Sequence, residues 1–149
     1  MRVTTKGRYA IRAVANLADA SQERPVPIKQ IAEEEDISPE FLEQIFFRLK
    51  KAGIIRSIRG PGGGFLLARD PAGITLQDIF LAVGEGVNLT PCSNCAKTDK
   101  NGSCSRMSFC AIHGIWVEVS GKVSDILNSY TLQNILERKR KKPVKPSSL

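Results

Sequence analysis

All four cysteines and the single histidine of this 149-residue chain fall in one stretch, T-P-C-S-N-C-A-K-T-D-K-N-G-S-C-S-R-M-S-F-C-A-I-H-G-I-W, from Thr90 to Trp116. Their spacing is Cys92-x2-Cys95-x8-Cys104-x5-Cys110-x2-His113. Thiolates suit iron–sulfur clusters and zinc, and four ligands complete either kind of site. The spacing lacks the doubled C-x2-C pair of a zinc ribbon. No thioredoxin-like strand–helix unit surrounds Cys92 and Cys95, as a disulfide switch would require. Cys110 and His113, three apart at the start of a helix, can project to the same side, and the other three cysteines lie on a loop able to close over an ion or cluster. Loop ligands suit a sensor, because losing the metal would release the loop without unfolding the domain.

Such a site needs a reducing compartment. No apolar run approaches the ~20 residues that span a bilayer, and the opening M-R-V-T-T-K-G-R-Y lacks the apolar core of a secretory signal. The chain is therefore expected in the cytoplasm and off the membrane, where clustered cysteines hold metal or sense redox state. Its length fits one domain plus a dimerisation arm. A charged fraction of 25% and an apolar fraction of 42% are enough to bury a core without disulfides.

The net charge of +7 is uneven: six basic residues and no acidic one lie from Arg138 onward, so residues 1–137 sum to only +1. Two local basic blocks are more informative, Arg2, Lys6, Arg8 and Arg12 in one, and Arg48, Lys50, Lys51, Arg56 and Arg59 in the other. Glu33-Glu34-Glu35-Asp36 lies between them. The pattern predicts a polar binding face for a polyanion, although plain solvated helix faces carry similar charge.

The elements that position these residues read as follows. Ile11, Ala13, Val14, Leu17 and Ala18 recur at helical spacing between Arg8 and about Ala20. Pro25 and Pro27 break this pattern, and Pro27 opens a short helix with Ile28, Ile31 and Ala32 inward. Ser38-Pro39-Glu40 is a helix start, with a capping hydroxyl, a proline in the first turn and an acid at the positive end of the dipole. That helix runs to about Ala52, with Phe41, Leu42, Ile45, Phe46 and Leu49 on one side and Glu40, Glu43, Gln44, Arg48 and Lys51 on the other. Gly53 ends it. Ile54–Arg59 alternates as a strand, Gly60-Pro61-Gly62-Gly63-Gly64 turns, and Phe65–Ala68 returns. A hairpin after a helix-turn-helix is a winged helix. The glycine run lacks the order of a phosphate-binding P-loop. Thr75, with Asp78 three residues on, caps a helix from Leu76 to about Val83.

From Phe109 the seam Phe109, Ile112, Trp116, Val119, Val123, Ile126, Tyr130 alternates steps of three and four residues. This is a heptad stripe with no partner left in the chain, and it predicts an intersubunit helix pair. Gly114 and Gly121 make that helix dependent on packing. The expected class is mainly α: a winged helix-turn-helix with a long C-terminal dimerisation helix. Residues 1–88 would form the DNA-binding domain, 89–108 the cysteine-rich cluster-binding loop, 109–137 the dimerisation helix and a short terminal helix, and 138–149 a basic disordered tail.

With these parts in order, the chain resembles bacterial winged-helix transcription regulators of the Rrf-two type, most of all their iron–sulfur cluster-sensing members. The likeness covers about residues 1–137 and rests on T-K-G-R-Y-A-I-R-A-V, I-S-P-E-F-L-E-Q-I-F, A-G-I-I-R-S-I-R-G-P-G-G-G-F-L-L-A-R, and C-x5-C-x2-H-x2-W at Cys104, Cys110, His113 and Trp116. It implies a homodimeric repressor or activator of palindromic promoters, responding to an iron–sulfur cluster and controlling iron–sulfur cluster biogenesis or sulfur metabolism. Ser38, Glu40, Phe41, Glu43 and Gln44 match recognition-helix residues that face the major groove. Arg59 matches a wing residue that enters the minor groove, and Arg56 lies on the same basic strand. Glutamine pairs with adenine, and arginine suits a narrow, negative minor groove. Lys6, Arg8 and Arg48 read as phosphate contacts, which position a protein without reading sequence.

The cysteine pattern departs from the family. Those proteins use three cysteines and a histidine for a two-iron cluster, with the first cysteine five residues before the second. Here Cys104 follows Cys95 by eight intervening residues and Cys92 by eleven, and a fourth cysteine is present. A two-iron cluster is expected, with an all-cysteine site or a four-iron cluster as alternatives. A zinc-stabilised regulator without cluster sensing is the rival reading. An electron carrier is the other, but it lacks any flavin or nucleotide motif. Phe47 stands beside the polar face of the recognition helix, either to meet a thymine methyl or to pack on the wing.

Overall fold

The computed structural model describes residues 2–21, 24–93 and 104–142. Helix α1 (Thr5–Ala20) is followed by α2 (Ile28–Glu35) and α3 (Pro39–Lys51), then by the hairpin β1 (Ile55–Ile58) and β2 (Gly64–Leu67). Helix α4 (Leu76–Ala82), the long α5 (His113–Ser129) and α6 (Leu132–Lys141) complete the chain. Among the described residues no helix is long and apolar enough to cross a membrane.

The expected local signals are in use. Ser38 accepts from the Phe41 N–H at 3.3 Å with Pro39 opening α3. Thr75 and Asp78 form a reciprocal capping box at α4. The strands pair antiparallel from Ile55 opposite Leu67 to Ile58 opposite Gly64, and the chain turns through a Gly63 N–H to Gly60 C=O bond of 2.9 Å. The hairpin also gains a third, single-residue partner beside β2, which the sequence hides between two prolines. Val26 and Phe65 exchange both backbone hydrogen bonds, at 3.0 and 2.8 Å. A Cβ at Gly64 would stand 2.4 Å from the Val26 carbonyl oxygen, so this approach requires glycine. The wing is thereby fastened to the α1–α2 connection.

One core joins Ala13, Val14 and Leu17 of α1, Ile31 of α2, Leu42, Ile45, Phe46 and Leu49 of α3, Ile55 of β1 and Ile79 of α4. Leu132 and Leu136 of α6, at 0% and 2% exposure, belong to it as well. The C-terminal helix, grouped with the dimerisation arm on sequence grounds, thus closes the winged-helix unit. It packs on α1, and Lys139 pairs with Asp19 at 2.9 Å. It also runs through Lys141 rather than ending near Arg138, because Thr131 and Asn134 cap it and its four last-turn cations complement the helix dipole. The rest of the expected tail, 143–149, lies outside the described residues.

Helix α5 begins at His113, four residues later than the seam implies. Met107–Phe109 form a separate 3-10 turn, and Cys110 is extended (φ −82°, ψ 112°), so the i→i−4 ladder cannot pass through it. At its other end α5 stops at Tyr130, where the chain pairs with the start of α4. Leu76 N–H donates to Tyr130 C=O at 2.9 Å, and Leu132 N–H to Ile74 C=O at 2.8 Å.

Candidate functional site

The outward side of α3 carries the predicted reading residues. Glu40, Glu43, Gln44, Phe47, Arg48 and Lys51 are all exposed and share one open concavity of about 1030 Å³ with Ala52, Leu81 and Ala82. Ser38 is exposed at the helix start with its oxygen engaged in the cap, which leaves its hydroxyl hydrogen available to donate. Phe41 differs from the rest. Its ring is half-buried against the core and meets Tyr9 edge-on at 6.0 Å, so most of it supports α3 from behind.

The basic residues separate into groups that composition alone does not distinguish. Arg12 pairs with Glu35 at 2.9 Å, and Asn16 donates to Glu34 and Glu35 at 2.8 and 3.0 Å, so two of the four acidic residues are held by α1. Arg2 and Arg8 remain on a concave surface at the α1 N-terminus, where Arg8 donates to Thr5 at 3.2 Å; Lys6 is half-buried nearby. Arg59 is exposed at the wing tip. Arg56 is not beside it: it lines a hollow with Arg24 and Arg69, between the wing base and α6. Arg48 lies against the end of α4, where its Nη1 would be 3.4 Å from a Cβ at Gly84.

The cysteine stretch begins as an ordered turn. Thr90, Pro91, Cys92 and Ser93 close through Ser93 N–H to Thr90 C=O at 3.1 Å, and the Thr90 hydroxyl lies 3.2 Å from the half-buried Cys92 Sγ. This turn packs against α5. On the far side of the loop Cys104 is exposed, Cys110 is half-buried with its carbonyl accepting from His113 N–H at 3.3 Å, and His113 is half-buried as the first residue of α5. Cys95 lies outside the described residues. Among the described residues, no three Cys, His, Asp or Glu side chains gather tightly enough to hold a metal ion. The donor types nevertheless fit a sulfur-ligated cluster, and they flank the loop from both ends.

Two contacts missing from the sequence reading connect this loop to its surroundings. Glu85, only 9% exposed in the short segment between α4 and Cys92, accepts from the Thr4 hydroxyl and from the Thr4 N–H at 3.4 Å. Thr4 is the N-cap of α1, the helix that carries Lys6 and Arg8. Gly7 leaves the necessary room, since a Cβ there would be 2.9 Å from Glu85 Cγ and 3.2 Å from the Phe80 ring. Four residues after Glu85, Leu89 N–H donates to Ser120 Oγ in the middle of α5 at 3.3 Å. The G-E-G of residues 84–86 is the only local hint of the first contact; the second has none.

The other side of α5, with the turn just before it, is uncovered. Phe109, Ile112, Ile115, Val119 and Ile126 are 75%, 55%, 55%, 38% and 58% exposed, whereas Trp116 and Val123 of the expected seam are half-buried.

Residues 3–138 match the Rrf2 family, described as an iron-dependent transcriptional regulator. The HTH-type transcriptional regulator IscR of Vibrio cholerae is 40% identical over 136 residues, which are 91% of this chain and 75% of that one. Among solved structures, T. potens IscR is similar with a TM-score of 0.75 and 29% identity, covering 98% of this chain and 94% of that chain. CymR, described as the global cysteine regulator of B. subtilis, gives a TM-score of 0.71 and 27% identity, over 93% of this chain and 98% of that chain.

Proposed function

The chain belongs to the Rrf2 family and is a DNA-binding bacterial transcription regulator, not an enzyme; from that premise we propose that it acts as a homodimer on palindromic promoters under control of an iron–sulfur cluster. The observation that carries this reading is an outward polar face on α3 in the same chain as an unburied apolar stripe on α5. Two copies joined along α5 would present two α3 helices to half-sites about one turn of duplex apart.

In this reading Glu40, Glu43 and Gln44 meet base edges and Ser38 donates at the groove. Arg59 enters the minor groove, while Lys6, Arg8 and Arg48 hold phosphates. Arg56, with its neighbours Arg24 and Arg69, adds long-range attraction rather than a base contact. Cys92, Cys95, Cys104 and Cys110 supply the cluster ligands, with His113 completing the set if one cysteine stands aside; a two-iron cluster is the first expectation and a four-iron cluster the second. When bound, an iron–sulfur cluster supplies metal–thiolate bonds that respond to iron supply and oxidation. The chain's own part is transmission. Cluster binding between Cys92 and Cys110 would bear on the Glu85–Thr4 contact at the phosphate-binding end of α1, and on the Leu89–Ser120 contact at the dimer helix. Regulation of iron–sulfur cluster biogenesis or sulfur metabolism follows from the same likeness.

The test is anaerobic purification, with iron, acid-labile sulfide and zinc counted per chain, followed by titration of selected promoter DNA. Brown protein is expected, with operator affinity differing roughly 5–150-fold between cluster-loaded and cluster-free forms. Colourless protein with one zinc per chain would remove the sensor and leave the DNA reader. Equal operator affinity in both forms would remove the coupling.

A further inference from the structure

Phe47 is the largest apolar side chain on the outer face of α3, and it is 70% exposed. Its neighbour Phe46 has the usual role: it is 1% exposed and meets Phe65 of the wing edge-on at 4.9 Å. The wing's aromatic contact is thus already made by Phe46. The concavity that Phe47 lines is built from α3 and the α3 and α4 ends, with no residue from β1 or β2. Packing on the wing therefore does not account for Phe47.

Its angular position does. At 3.6 residues per turn, positions 43, 47, 40, 51 and 44 follow one another within an arc of about 100°, with 47 inside that arc. Phe47 consequently lies among Glu43, Gln44 and Lys51, one turn further along the reading face. An exposed phenylalanine in such a place has one apolar target in the major groove of DNA, the C5-methyl group of thymine. Resting on the DNA-reading role of α3 proposed above, we infer that Phe47 is a specificity-determining residue that packs on a thymine methyl in each half-site.

A recognition helix running along the groove would also place that thymine close to the base pair read by Gln44. Gln44 and Phe47 are three residues apart, about 4.5 Å along the helix axis, against about 3.4 Å between successive base pairs. The thymine is one or two base pairs from the pair read by Gln44. Leu81, 60% exposed on α4 at the edge of the same concavity, is off the recognition helix and serves as a control.

The experiment begins with selection of duplexes from a random-sequence DNA pool by the wild-type dimer. The enriched site is then remade with deoxyuridine in place of each thymine in turn, which removes only the methyl group. Burial of one methyl is worth about fourfold in affinity, so replacement in both half-sites should weaken wild-type binding roughly fifteenfold at one thymine position. Phe47→Ala should lose the same factor on thymine DNA and become indifferent to the exchange. Phe47→Leu should keep part of the effect, and Leu81→Ser should keep all of it. Thermal melting checks that each variant is folded. Enrichment without any deoxyuridine effect, or a Phe47→Ala variant as sensitive as wild type, overturns the inference and leaves the DNA-reading role standing. Failure to enrich any sequence removes that role, and this inference with it.

Discussion

The winged-helix unit and the cysteine loop with α5 are built on opposite terms. In the first, α1, α3, α4 and α6 each start at a side-chain cap, and side chains from α1 to α4 and α6 share one core. In the second, only Ser120 of α5 is buried, and six large apolar residues from Phe109 to Ile126 are exposed. A region that satisfies itself can hold a reading face in fixed geometry. A region whose apolar surface is left uncovered within one chain can respond to whatever covers it. The difference between the two regions is present in which residues are buried.

The sharpest way to break this contrast is to charge the stripe. Ile126→Asp, alone or with Val119→Asp, should leave the monomer folded, because both positions face solvent within one chain. Light scattering should then give the mass of a single chain, 16.3 kDa. Operator affinity should fall by about 10²–10⁴, the usual gain from linking two binding sites. A variant that stays dimeric and binds normally would show that the stripe is not the subunit interface.

A smaller effect tests the contact through which the two regions meet at α1. Glu85→Ala removes a buried carboxylate that accepts two hydrogen bonds from Thr4, at a cost of about 1.5–3 kcal/mol in urea unfolding. It should also weaken DNA binding, because the α1 N-terminus loses its anchor. Gly7→Ala makes the cause explicit. In the wild type the new methyl crowds Glu85; in the Glu85→Ala background that crowding is relieved and the helix preference for alanine, about 1 kcal/mol, works in its favour. If Gly7→Ala is equally damaging in both backgrounds, Phe80 alone sets the limit and Glu85 is not what requires glycine there.

What was legible in the sequence follows the range of the interactions. Ser38-Pro39-Glu40, the Thr75–Asp78 box and the glycine turn act over three or four residues, and each forms where its spacing predicts. The outer face of α3 was legible for the same reason, since one helix period fixes it. The Val26 bridge, the return of Leu132 and Leu136 to the core and the Glu85–Thr4 contact join residues that are far apart in the chain, and no local preference encodes them. Of the expected seam, Ile112, Val119 and Ile126 lie on the uncovered stripe, which Ile115 joins, whereas Trp116 and Val123 are half-buried; the spacing also carried no sign that Cys110 is extended and delays the helix to His113. The cysteines and His113 stand out in the sequence as residue types, whereas the sequence between them is polar and without periodicity and carries no sign of how they are arranged.

The mildest perturbation addresses whether the two regions unfold as one. Thr75 is the joint between them: it caps α4, pairs with Thr131 at the start of α6 and donates to Asn128 near the end of α5 at 3.3 Å. Thr75→Ala should lower stability by about 1 kcal/mol, as loss of a helix cap does. Because α6 is part of the core, the loss should appear as a shift of one transition with an unchanged slope in urea. A transition that instead splits in two, with near-UV absorbance of Trp116 in α5 changing before the helix signal of the whole chain, would mean that α5 is coupled to the reader through Thr75 alone. The contact between Leu89 and Ser120 would then carry little, and the route from the cysteine loop to the DNA-reading face would run through the α4–α6 joint.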